Sequence, residues 1–277
     1  MRLTEAVDWA VRAIRLSDVN EPRNALLADS YIAYTGVLVS QWKLVEARAI
    51  SNQALAKCRS ERGEENMATA GWMWRHGIIS IYQGAWEEAE ACLLASYSTT
   101  KKLLGAGLPD SHSRLFGLFR LYAEQLSWHR ASDIVSKFRG GRHVSPWDTY
   151  LLIMEAEVLD ALGNYEKAYN TASEAFQYLE AQEPLEAPLN SRVLVRILRN
   201  LGRLKESREL GTRTLAVSGQ IFGTLHPQTV QCKVELAKTY VASGEAVAAI
   251  ETMSECTATR SDAYIIARTG KHDRNIV

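Results

Sequence analysis

The chain has 277 residues, is 47% hydrophobic, and balances 32 Lys+Arg against 32 Asp+Glu, for a formal net charge of zero. That balance argues against a general nucleic-acid or anionic-membrane binder, which carries a basic excess. Cys58, Cys92, Cys232 and Cys256 form no C-x-x-C pair, and His76, His112, His129, His143, His226 and His272 are scattered. No metal or cofactor is therefore expected, and the thiols read as buried and reduced.

At the N-terminus there is no apolar leader core, and no run nears the length of a membrane span, so a cytoplasmic protein is expected. Leu3-Thr4-Glu5-Ala6, followed by Trp9, Ala10, Ala13 and Ile14, reads as a lone helix. It is the second half of a hairpin without its first, either an N-terminal cap or the mark of a chain cut from something longer. Six helix pairs follow, near 24–57, 67–102, 110–138, 146–179, 188–217 and 227–256. Leu151, Leu152, Ala156 and Leu159 share one face, as do Leu194, Leu198 and Leu201. No run alternates with period two, so no strand is predicted. Residues 1–258 read as a single array, and 259–277 as a short helix through Ala263–Ala267 with a frayed polar tail.

A phrase returns about every 42 residues. It reads Gly84-Ala85-Trp86-Glu87-Glu88-Ala89, then Ala161-Leu162-Gly163-Asn164-Tyr165-Glu166-Lys167-Ala168. Near the end it reads Leu236-Ala237-Lys238-Thr239-Tyr240, then Gly244 and an Ala-rich segment through Ala249. Small anchors at Ala6, Ala47, Ala89, Ala131, Ala168, Ser207 and Ala249 lie 41, 42, 42, 37, 39 and 42 residues apart. A fixed period of this size means stacked helical hairpins. Gly84, Gly163, Gly202 and Gly244 stand five residues before their anchors, where a tight turn wants positive φ. The units anchored at Ala47 and Ala131 lack that glycine. Leu3, Leu44, Trp86, Trp128, Tyr165 and Leu204 stand three before, on the anchor's own helix face; Ala246 breaks the rule. Pro109, Pro146 and Pro227 open first helices, and Ser145 is placed to cap one.

Together these marks resemble the tetratricopeptide repeat. The long period is similar to the repeats of kinesin light chains and of the repeat tails on fungal nucleotide-binding receptors. Ile221-Phe222-Gly223-Thr224-Leu225-His226-Pro227-Gln228-Thr229 looks like the family's "lG-x-x-HP-x-T" entry, and Leu108-Pro109-Asp110-Ser111 repeats it more weakly. HEAT and armadillo repeats share the period, but the glycine-to-alanine spacing favours the tetratricopeptide form. The resemblance implies an all-α, right-handed superhelical solenoid of about six helix-turn-helix repeats. It also implies a protein–protein interaction scaffold whose first helices line a concave groove.

Counting back from each turn, the resemblance places these residues in the groove: Trp74, Ile78, Ile81 and Tyr82; Phe116, Arg120 and Glu124; Tyr150, Ile153, Glu157 and Asp160; Arg192, Arg196, Arg199 and Asn200; Gln231, Val234 and Lys238. The binding candidates are Trp74, Tyr82, Phe116, Arg120, Tyr150, Arg192, Arg196, Arg199, Asn200 and Lys238. Arg192, Arg196 and Arg199 share one helix face and read as a clamp for an acidic peptide or C-terminal carboxylate. The alternative is a solvated face, or pairing with Glu157 and Asp160. Only Asn200 and Lys238 match the carboxylate clamp of chaperone-binding tetratricopeptide domains. Trp74, Tyr82 and Phe116 offer either an apolar groove or inter-repeat packing. Trp42, Trp86 and Trp128 read as core, and His226 as a turn residue.

No G-x-S-x-G, H-E-x-x-H or Walker A motif is present, and Gly105-Ala106-Gly107 lacks a dinucleotide context. No catalytic or metal residue is named. The expected partner is a protein or peptide, an acidic one in particular, with no nucleic acid and no membrane. Two other classes stay open: the sensor part of a larger signalling receptor, and a helical-repeat enzyme with an enclosed pocket.

Overall fold

The computed structural model describes residues 25–106, 108–139, 147–182, 187–224 and 226–254. The lone helix expected in residues 1–20, the Ser145–Pro146 entry and the segment 259–277 lie outside the described residues. Among the described residues there are twelve helices and no strand. They form six hairpins: α1 (Ala25–Ser40) with α2 (Leu44–Arg62), α3 (Met67–Gln83) with α4 (Trp86–Leu104), and α5 (Pro109–Glu124) with α6 (Trp128–Arg139). Next come α7 (Trp147–Ala161) with α8 (Tyr165–Gln182), α9 (Ala187–Asn200) with α10 (Leu204–Phe222), and α11 (Pro227–Ala242) with α12 (Ala246–Ser254). The fold is an all-α helical-repeat architecture, as the repeating marks predict.

The hairpin turn is the same six times. At each, one residue takes positive φ and its N–H donates three residues back, while the next N–H donates five residues back. Gly84 and Ala85 bond to the Ile81 and Ser80 carbonyls at 3.0 and 2.9 Å, and the pairs at 163, 202 and 244 repeat this. This closure satisfies helix-end carbonyls that would otherwise lack donors. The two units without glycine make the same turn. Trp42 (φ 61°) and Leu126 (φ 57°) occupy the left-handed position five residues before Ala47 and Ala131. Trp42 N–H reaches the Val39 carbonyl, and Leu126 N–H the Ala123 carbonyl. For a side-chain-bearing residue this conformation costs about 1–2 kcal/mol, so the surrounding hairpin imposes it.

After the turn the small anchor meets the neighbouring helix. Ala47, Ala89, Ala131, Ala168 and Ser207 are fully buried, and Ala249 nearly so. Ser207 keeps its hydroxyl satisfied by donating to the Val195 carbonyl at 2.8 Å, and it lies 2.9 Å from Thr239 Oγ1. The second helices α2, α4 and α10 run 19 residues each, and α2 and α10 extend past the predicted ends at 57 and 217. They stop where Gly63, Gly105 and Gly223 turn the chain and bond back to the helix. These long second helices fill out the period. Pro109 and Pro227 open α5 and α11 as predicted. His226 caps α11, its Nδ1 accepting from Gln228 N–H at 3.2 Å, which is the expected turn role.

The chain divides into two compact units, Met1–Val158 and Leu159–Val277. In the first, α1 packs on α3 and α3 on α5, with the second helices alongside. Its main core joins Ile81, Leu93, Leu115, Leu118, Phe119 and Phe138 to Met154, with Trp86 and Trp128 packed against it. A smaller cluster sets Trp72 and Met73 on Leu55. Each such side chain contributes about 1.5–3 kcal/mol on burial. In the second unit α9 packs on α11, over a core that includes Leu179, Val195, Ile197 and Leu236. No described helix is long and apolar enough to cross a membrane.

Leu126 is 40% exposed and has little packing to lose. Leu126→Gly is therefore expected to raise stability by about 1 kcal/mol in urea unfolding, by relieving positive φ. Gly84→Ala is expected to lower it by a similar amount.

Candidate functional site

In the first unit the sequence candidates Trp74, Tyr82, Phe116, Arg120 and Tyr150 are all half-buried, on α3, α5 and α7. Two strings join them across successive first helices. Phe116 and Tyr150 meet edge to face, centroids 5.5 Å apart. Arg120 Nη2 donates to the Tyr82 hydroxyl at 2.8 Å and lies over that ring, while Trp42 meets its other side at 5.3 Å. Trp42 is half-buried, as are Trp86 and Trp128, and its contact with Tyr82 extends the aromatic surface onto the α1–α2 turn. Trp74 lies across the backbone of α5, where a Cβ on Gly117 would come within 2.7 Å of the indole nitrogen. Here glycine permits close approach of two helices.

Some residues assigned to the groove are elsewhere. Ile78, Ile81, Ile153 and Asp160 are buried. Each first helix has neighbours on several sides, so only a narrow strip of it stays open. A positional rule with a wider face includes core residues.

A contact set in this unit has the atoms of a hydrolase triad but not its access. Ser51 Oγ lies 2.9 Å from His76 Nδ1, and His76 Nε2 lies 3.0 Å from Glu88 Oε1. Arg48 donates to Glu88 at 2.6 Å and to Gln83 at 2.7 Å. Ser51 is 0% exposed and His76 3%, so no substrate carbonyl can reach the serine oxygen. The hydrogen bond from His76, assisted by the Arg48 charge, holds the Glu88 carboxyl below its ordinary range. The network fastens α2, α3 and α4 around the buried Ser51 and His76, with Arg48 and Glu88 partly exposed at its edge.

In the second unit the arginine stripe already meets carboxylates. Arg196 Nε donates to Asp160 at 2.7 Å, and Asn200 donates to the other oxygen of the same carboxylate at 2.7 Å. Arg199 donates to Glu235 at 2.8 Å, and Lys238 to Glu235 at 3.2 Å. Arg192 donates to the neutral Gln231 side chain. The stripe is therefore a ladder across α7, α9 and α11 that alternates in direction. Pairing with Asp160 was one of the alternatives open in the sequence; Glu235 was not foreseen. Burial would raise the Glu235 carboxyl, but Lys238, Arg199 and Arg196 outweigh it and bring it down to about 2. Cys58, Cys92 and Cys232 are free thiols, each pushed upward chiefly by burial. Among the described residues no cluster of His, Cys, Asp or Glu could hold a metal ion.

No protein-family model matches the chain, and no curated protein does. Among solved structures, a tetratricopeptide repeat protein from Parabacteroides merdae is similar, with a TM-score of 0.53 and 18% identity over 95% of this chain and 90% of that one. The fold is a tetratricopeptide-like helical-repeat fold. A Podosopora anserina protein with kinesin-light-chain-type, nearly identical TPR-like repeats matches at TM-score 0.41 and 16% identity, over 85% of this chain and 95% of that one. BtubC (BKLC) from P. vanneervenii matches at 0.41 and 13%, over 95% and 92%.

The Glu235 carboxyl falls from an ordinary 4.5 to about 2 on folding. Its contribution is present above the unfolded pKa and lost as pH drops from about 4.5 to about 2. Glu235→Gln is expected to lower stability by about 3 kcal/mol at pH 7 and to flatten the acid limb of a denaturation profile over that window. Asp160→Ala, which removes the carboxylate that accepts from both Arg196 and Asn200, is expected to cost about 3 kcal/mol in the same measurement.

Proposed function

We propose that the chain is a non-catalytic protein-interaction scaffold that holds a segment of a protein or peptide partner against the first helices of its repeats. The observation that carries this reading is the half-buried aromatic and arginine surface of the first unit. Trp42, Tyr82 and Arg120 form one set of contacts and Phe116 and Tyr150 another, on α3, α5, α7 and the α1–α2 turn. Tyr, Trp and Arg dominate the energetic centres of protein interfaces, because they bury large area with few rotors to freeze. A helical-repeat scaffold supplies such residues from successive, rigidly spaced helices.

For the second unit we propose an acidic segment as the partner. Its ladder sets Arg196, Arg199 and Lys238 against the carboxylates of Asp160 and Glu235, and Arg192 against the neutral Gln231 side chain. The Arg192 charge favours an acidic chain and steers its approach. Arg192 is the member to watch, because its partner is an uncharged amide and its charge is not offset there. Three free thiols suit the reducing conditions of the cytoplasm, where we place the protein.

Cross-linking capture from the native extract, followed by direct titration of the recovered partner, tests the reading. Phe116→Ser with Tyr150→Ser is expected to weaken binding at least tenfold, about 1.4 kcal/mol, with unchanged helicity. Leu162→Ser, at an exposed position of the second unit, is expected to leave it unchanged. Equal binding by all three proteins would sink the aromatic surface as the site. Separately, Arg192→Glu is expected to weaken an acidic partner and reduce its salt dependence; an unchanged salt slope excludes the acidic segment.

A further inference from the structure

The first unit holds two arginines, Arg114 buried and Arg75 half-buried, that meet no charge partner among the described residues. Arg75 on α3 and Arg114 on α5 flank Trp74, with guanidinium carbons 5.2 and 5.4 Å from the indole ring centroid. Arg114 is only 8% exposed, and its one hydrogen bond is to the neighbouring Ser113 hydroxyl at 3.2 Å. The Nε of each arginine is buried without an acceptor, and so is the Trp74 nitrogen. Among the described residues no carboxylate forms an ion pair with either arginine. Asp110, one turn before Arg114, attracts it but does not reach it, and Tyr82 is the polar group that acts on Arg75.

Burial pulls both guanidinium groups below their ordinary range, and the charge on Arg75 lowers Arg114 further. Buried Arg in a finished core is normally matched by a carboxylate, since an isolated charge costs several kcal/mol to desolvate. Here the same arrangement is built twice. Arg75 lies over the bare backbone of Gly36 on α1, and Arg114 over that of Gly71 on α3, each reaching back one hairpin. A methyl group at either glycine would meet the guanidinium at ordinary van der Waals distance, 3.8 and 3.9 Å, so only a larger side chain would intrude there.

We propose that Arg75, Arg114 and Trp74 form an oxyanion-binding subsite that takes a carboxylate or phosphate group. Two guanidinium forks supply planar, paired donors that match either oxyanion. The indole holds both guanidinium groups in place by cation–π contact. Gly117 lets the indole lie on α5. The subsite belongs to the first compact unit and the Arg192 ladder to the second. It holds whether or not the aromatic surface binds a protein.

The test uses the full chain with inorganic phosphate and with acetate, each titrated at fixed ionic strength against chloride. Heat of binding and Trp fluorescence are the readouts. Wild type is expected to bind one or both anions in the millimolar range. Phosphate alone identifies a phosphate subsite, acetate alone a carboxylate subsite, and both an oxyanion site of broad choice; each supports the proposal. Arg114→Met and Arg75→Met are expected to weaken that binding at least tenfold. In chloride alone each is expected to melt at or above the wild-type temperature, because an unmatched buried charge is gone. No response to either anion in wild type overturns the proposal, whatever the variants do. So does a response that both variants retain. If one variant fails to fold, the other decides the second arm, and Gly71→Leu, which would fill the space over which Arg114 lies, replaces it.

Discussion

Everything in this molecule hangs on one backbone turn. Six times a helix ends in a residue of positive φ whose N–H and that of its successor close onto the same two carbonyls. That closure fixes the direction of the next helix, and the next helix then delivers a small residue, five positions on, to a buried contact. The wedge residues, the long second helices and the open strips of the first helices all take their positions from it. Side-chain packing reinforces the geometry but does not choose it, as Trp42 and Leu126 demonstrate by adopting it against their own preference.

The scaffold was largely legible in the sequence because its determinants are local. Gly84, Gly163, Gly202 and Gly244 mark turns through a property of one residue, and Pro109 and Pro227 mark helix starts likewise. The surface was legible only in part. Tyr82, Arg120, Phe116 and Tyr150 came together as a surface string, but Ile78, Ile81, Ile153 and Asp160 went into the core. Successive helix positions differ by about 100° in direction, so the width of an open face depends on neighbours distant in sequence. Charge pairing is non-local in the same way. Arg196 meets Asp160 and Arg199 meets Glu235, each a hairpin away. Arg75 and Arg114 gave no sign at all, since nothing in a sequence distinguishes a buried arginine from a solvated one.

The contacts between helices described above differ in kind between the two units. The first has aromatic rings, arginines stacked on them, and the Ser51–His76–Glu88 network. The second uses ion pairs on one side and hydroxyl contacts on the other, with Ser191 2.8 Å from Thr214 and Ser207 2.9 Å from Thr239. Aromatic contacts lose little strength in salt, whereas partly exposed ion pairs are screened. Neighbouring repeats of one chain can therefore respond differently to the same solution, as expected where stability is summed between nearest neighbours.

Because the hairpin turn is held by main-chain hydrogen bonds, no side chain in it is indispensable. Tryptophan, leucine and glycine all occupy its left-handed position in this one chain. A repeat can thus drift in sequence without changing its path, at a cost of only about 1–2 kcal/mol for each departure from glycine. Divergence of that kind separates the history of a fold from the text that encodes it. The backbone path here is shared with a Parabacteroides merdae protein at 18% identity, a level at which few side chains coincide and the main chain preserves the likeness.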